Sequence, residues 1–173
     1  AENYQYDREA HHALARKAAG EGAVLLKNQD QTLPLGKDIQ VGLIGEMARS
    51  PRFQGAGSSL VNPYRVDSIL EEAIKIANQD RIRYAPGYSL EGFEIDQDLV
   101  QEAIALARDA DVVVICAGLP DNFEVEGLDR DHMALPENQN QLIEALALEH
   151  DRVVVVLSNG SPVEMPWIDQ VQA

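Results

Sequence analysis

Apolar and alanine positions Ala10, Leu14, Ala15, Ala18 and Ala19 recur at helical spacing across residues 7–21, and Gly22 is placed to close the amphipathic helix they predict. A short apolar run at 23–27 ends at Asn28, and Leu33-Pro34-Leu35-Gly36 reads as a turn into a strand at 40–44, stopped by Gly45. The same helical period returns at 66–78, with Asp67 or Ser68 near its start and Ile69, Leu70, Ala73, Ile74 and Ala77 on one stripe. A short strand follows at 81–85. Asp96 or Gln97 then opens a helix carrying Leu99, Val100, Ala103, Ile104 and Ala107 on its apolar face. Residues 112–117 and 153–157 are continuous β-branched runs without alternation, the pattern of strands covered on both faces. Between them a helix at 137–149 carries Leu142, Ile143, Ala145 and Leu146.

Strand and helix alternate, so the expected fold is a single α/β domain: an open, mostly parallel sheet with helices on both faces, joined by right-handed crossovers. Ligands in such sheets bind beyond the carboxyl ends of the strands. Two aperiodic stretches, 46–63 and 118–135, leave carboxyl ends of predicted strands and are expected to share one rim. Loops of this length tend to be functional.

The 173 residues suit one domain, and 45% apolar with 25% charged residues are ordinary globular values. Charge changes the picture more. Lys and Arg total 14 against 29 Asp and Glu, a formal charge of −15, which repels phosphate backbones and anionic lipid, so nucleic acid and membrane are not expected partners. Such a surface permits a neutral, hydroxyl-rich substrate, although it most often serves solubility alone. The single Cys116 lies inside an apolar run and allows no internal disulfide. No secretion signal and no apolar stretch of about 20 residues is visible, and a cytoplasmic location is expected on that basis. The chain opens on Ala1 and stops after Trp167 to Ala173 without a polar tail, so it reads as a piece of a longer polypeptide.

Chemistry is concentrated at residues 119–130, where Asp121, Glu124, Glu126 and Asp129 lie beside the apolar Phe123 and Val125 just past a buried strand. If Glu124 and Glu126 are locally extended they share a face, and mutual repulsion would lift one pKa towards a usable acid at neutral pH. Composition alone favours a solvated acidic loop, with Asp129 and Arg130 in ordinary surface pairs. The spacing lacks the order of a Ca²⁺ loop, and no metal or cofactor is expected. Gln54-Gly55-Ala56-Gly57-Ser58-Ser59 has neither the Lys-Ser/Thr of a phosphate cradle nor dinucleotide spacing; it reads as a mere turn or as a glycine loop letting a neutral ligand approach the backbone. His11, His12, His132 and His150 make no metal spacing, and no serine has the setting of a hydrolase elbow. Asn159-Gly160-Ser161 before Pro162 reads as a strand-ending turn, and Trp167 as core or interface.

Four segments, in order, carry a resemblance to the second domain of glycoside hydrolase family 3, the β-glucosidase and β-xylosidase group. They are residues 18–28 with Leu33-Pro34-Leu35, Val41-Gly42-Leu43-Ile44-Gly45 with the glycine loop at 54–59, Glu124-Val125-Glu126-Gly127-Leu128-Asp129-Arg130 with Leu135-Pro136 and Gln139, and residues 153–162. The resemblance implies that residues 1–173 are that family's C-terminal α/β domain, preceded by a TIM barrel bearing an Asp nucleophile and cut short before the last of its sheet. An open sheet edge would then favour a homo-oligomer.

The resemblance also implies site roles. Glu124 is the expected acid/base, Glu126, Asp129 and Arg130 the expected loop supports, and Ser58 with Gly57 a wall of the sugar or leaving-group site. The expected function is one part of a retaining β-glycosidase acting on a β-linked glucoside or xyloside, inactive without its barrel. The alternative is a non-catalytic carbohydrate-binding or structural module closing a sugar cleft.

Overall fold

The computed structural model describes residues 5–173. Its centre is a four-stranded, all-parallel sheet of β1 (Val41–Ile44), β2 (Ile82–Ala85), β3 (Val112–Gly118) and β4 (Val153–Ser158), in the order β2-β1-β3-β4. Val41 stands opposite Ile82 on one side and Val112 on the other, and Val113 opposite Val153. β3 is buried at every residue, as its unbroken apolar run requires.

The helices are α1 (Arg8–Gly22), α2 (Ile69–Ala77), α3 (Gln97–Ala107) and α4 (Glu137–Glu149). Ser68 caps α2 by accepting from the Glu71 amide, and Asp96 caps α3 by accepting from the amides of Asp98 and Leu99. α3 buries Val100, Ala103, Ile104, Leu106 and Ala107; α4 buries Leu142, Ile143 and Leu146. The chain runs outward from β1 to β2, then returns across to β3 and on to β4. Right-handed crossovers therefore set α2 on one face and α3 with α4 on the other, and the direction reverses between β1 and β3.

α1 forms where expected, capped by Asp7, but its stripe is uncovered: the helix buries no residue and Leu14 is 65% exposed. Polar contacts tie it to α2 and the residues just before it instead, through Arg16 to Asp67 and Glu72 and through His12 to Asp67. The run at 23–27 is not a strand, and Val24, Leu25 and Leu26 face outward. At the far edge, the backbone at 172–173 bonds to Val153 and Val155 of β4, so part of the edge expected to be open is paired. Trp167 is core, with its indole N–H donating to Asn140. The buried Tyr88 hydroxyl donates to the Cys116 carbonyl and accepts from the Met47 amide, joining the far end of β3 to the turn after β1.

Candidate active site

Three loops leave the carboxyl ends of β1, β3 and β4 side by side because two glycines let the strand ends close up. A Cβ on Gly45 would lie 2.1 Å from the Cys116 carbonyl oxygen, and one on Gly118 would lie 2.0 Å from that of Ser158. Gly45 also has φ +116°, a conformation side chains rarely adopt. The loops after β1 and β3 thus flank the crevice where the strand order reverses, the usual ligand position in open parallel sheets.

Within that crevice Ala56 and Val125 form a parallel bridge, and Val125 and Leu128 pair across a turn that uses Gly127 at φ +87°. Gly57, at φ +91°, lies so close that a Cβ there would stand 3.1 Å from the Glu126 Cβ. The glycine loop is therefore a floor for the acidic loop rather than an idle turn. The Ser58 hydroxyl donates to the Glu126 carboxylate. Both border an open hollow of about 820 Å³ that Gly55, Phe123, Glu124, Asp129 and Arg130 also line. Edge-on contacts of Phe123 with Phe93 and His132 pack the loop from behind.

The two glutamates have opposite surroundings. Glu126 is exposed on the hollow, whereas the Glu124 side chain is 14% exposed and its carboxylate is held from three directions. Arg52 Nη1 donates to Oε2 at 2.6 Å, the Gly160 amide to Oε2 at 3.0 Å, and the Ser161 hydroxyl to Oε1. Partial burial pushes the Glu124 carboxyl up, but the donors from Ser161 and Gly160 and the charge of Arg52 outweigh it and hold the pKa below the ordinary glutamate range. Repulsion was expected to lift one of this pair; at Glu124 local donors reverse the sign.

That shift makes a stability prediction. A group with a depressed folded pKa stabilises the fold above its unfolded value, near 4.3, and that contribution is lost as pH falls through the folded value. Urea midpoints of the chain should therefore fall on acidification below about pH 4.3, and Glu124→Gln should flatten that fall while lowering stability at neutral pH, where Arg52 loses its nearest counter-charge. A Gln variant with the unaltered acid dependence would assign the loss to other carboxylates.

Among the remaining expected residues, Ser58 and Gly57 stand against the acidic loop, and the Arg130 guanidinium donates to the Pro162 carbonyl. Asp129 is exposed on the hollow, and Glu126 meets Ser58. Arg52, Gly160 and Ser161 were missed. The available signal was an arginine in the loop after β1, facing a loop of four carboxylates across the expected rim.

Fold and rim together define an α/β domain that gathers carboxylates and hydroxyls at the switch point of a parallel sheet. Residues 23–173 match the Glycosyl hydrolase family 3 C-terminal domain, and the chain belongs to that family. It is 55% identical to Thermostable beta-glucosidase B of Acetivibrio thermocellus, over 99% of this chain and 23% of that protein. It is 40% identical to an Exo-alpha-(1->6)-L-arabinopyranosidase of Bifidobacterium longum, over 96% of this chain and 23% of that one. The crystal structure of a family 3 beta-glucosidase from Bifidobacterium adolescentis superposes with a TM-score of 0.92 at 39% identity, covering 99% of this chain and 25% of that chain. The chain thus spans about a quarter of the length of these relatives, and it is a domain of family 3 glycoside hydrolases.

Proposed function

We propose that this domain supplies the general acid/base carboxylate, and one wall of the sugar or leaving-group site, to a retaining β-glycosidase of β-glucosidase type. The nucleophile would come from the rest of the polypeptide, a TIM barrel by the resemblance, so the 173 residues alone would hydrolyse nothing at an appreciable rate. Proton transfer is assigned to Glu126 in place of Glu124. The observation that carries this is the contrast between the two: Glu124 spends its oxygens on Arg52, Gly160 and Ser161, while Glu126 is exposed on the hollow beside Ser58.

A residue that first gives a proton and later takes one needs an oxygen free to meet the glycosidic oxygen and then water. Glu126 meets that need. In the first step it protonates the leaving oxygen while the nucleophile attacks the anomeric carbon; in the second, now ionised, it draws a proton from the attacking water. Retention requires the two carboxyl groups at about 5–5.5 Å, with the hollow closed from above by the nucleophile's domain.

Azide rescue in the full-length protein tests the assignment. With an activated aryl β-glucoside, Glu126→Ala should accumulate a β-glucosyl azide, because a small anion can attack the intermediate without base assistance. If Glu124→Ala forms the azide and Glu126→Ala does not, proton transfer belongs to Glu124; if neither does, the domain is a sugar-binding or structural module.

A further inference from the structure

We propose that Arg52 is a positioning residue for proton transfer: by gripping Glu124 and both ends of the segment that carries it, Arg52 sets the place and the electrostatic surroundings of Glu126. The inference rests on Glu126 being the acid/base.

Arg52 lies in the loop after β1, yet among the described residues its side-chain hydrogen bonds and ion pairs are with the loop after β3. Its guanidinium donates to the Leu119 carbonyl, where that loop begins, to the Glu124 carboxylate, and to the Glu124 carbonyl at 3.1 Å. A longer contact, 3.5 Å, runs from Nε to Asp121. The side chain is 11% exposed, so this is a nearly buried charge with its partners in place. Glu124 extends the grip to a third loop through Gly160 and Ser161. One ion pair thus joins the ends of β1, β3 and β4 at the residue two positions before Glu126.

The geometric consequence is that Glu126 hangs on a short tether. Its own amide points to the Ala56 carbonyl at 3.5 Å, and its neighbour Val125 is bridged to Ala56, so the tether is fixed at 124 by Arg52 and at 125–126 by the glycine loop. The electrostatic consequence concerns charge balance. The ionised groups around Glu126 on the hollow are Glu124, Asp129 and Arg130 of its own loop and Arg52 behind Glu124; the glycine loop and the β4 loop bring hydroxyls, Ser58 and Ser161. Arg52 offsets the charge of Glu124, so the carboxylate two residues before Glu126 carries its own paired cation.

Opposite substitutions must then act oppositely. In the full-length enzyme, Arg52→Gln removes the cation paired with Glu124 and moves the descending basic limb of kcat/KM to higher pH. Glu124→Gln leaves Arg52 with only its longer contact to Asp121 as a counter-charge and moves the limb to lower pH. Each shift should be about half a pH unit or more, and the double variant should return near the parent limb. A merely structural clamp would lower kcat/KM in all three variants with the limb unmoved, which overturns the proposal. Glu126→Ala separates the two failures: if it loses the basic limb and is rescued by azide while the Arg52 and Glu124 variants shift nothing, the positioning role alone falls. If Glu126→Ala keeps the limb and full activity, the assignment of the acid/base falls with it.

Discussion

Replacing Glu126 by Ala in the full-length enzyme should lower kcat/KM for an unactivated alkyl β-glucoside by about 10²–10⁴-fold, or about 3–5 kcal/mol of transition-state stabilisation. For a dinitrophenyl glycoside the first step should be nearly unaffected, because that leaving group departs without a proton. Deglycosylation then becomes rate-limiting, so kcat falls while KM falls with it. The basic limb of the pH profile should vanish, since no general acid remains to be lost by ionisation. Glu102, exposed on α3 and outside the hollow, is the control: its replacement by Ala should alter none of these. Equal losses for good and poor leaving groups in the Glu126 variant would mean that the side chain binds sugar and moves no proton.

The second large effect falls on the fold and reaches the site through it. Gly118→Ala places a methyl 2.0 Å from the Ser158 carbonyl oxygen, a backbone atom of a paired strand that cannot step aside alone. The ends of β3 and β4 must separate, and with them go the bond from the Leu119 amide to Ser158 and the seat of Glu124 between the two loops. A loss of about 3 kcal/mol or more in chemical unfolding is expected, at the upper end for overpacking. Gly20→Ala, in the exposed helix α1 where an added Cβ meets nothing within 4 Å, should leave stability unchanged or raise it by up to about 1 kcal/mol. If Gly118→Ala is as benign as Gly20→Ala, close approach of the strand ends is not what seats the loops.

Those contrasts follow a division already visible along the chain. The unbroken β-branched runs of β3 and β4 are legible because burial on both faces leaves a local mark, and so are the caps at Ser68 and Asp96. The rim follows from alternation plus the crossover rule, which is why the glycine loop and the acidic loop were expected to face each other, and Gly57 does lie against Glu126. What a periodic stripe cannot say is who covers it: the alanines of α1 keep helical spacing and stay exposed in this domain. Nor could the state of Glu124 be read from its neighbours, since the groups that decide it are Arg52, 72 residues before it, and Gly160 and Ser161, 36 and 37 residues after. The repulsion expected between Glu124 and Glu126 considered two residues of one loop where the structure has three loops.

Cys116 sits in the middle of this arrangement, 2% exposed on β3, its carbonyl taken by Tyr88 and its thiol pushed up to about 12 by burial. A thiolate, the form that attacks alkylating reagents, is accessible there only when the central strand lets go. The chain's one sulfhydryl is therefore a native clock: its rate of labelling by a maleimide counts openings of β3 against its neighbours, and hence how often the platform beneath the acidic loop comes apart.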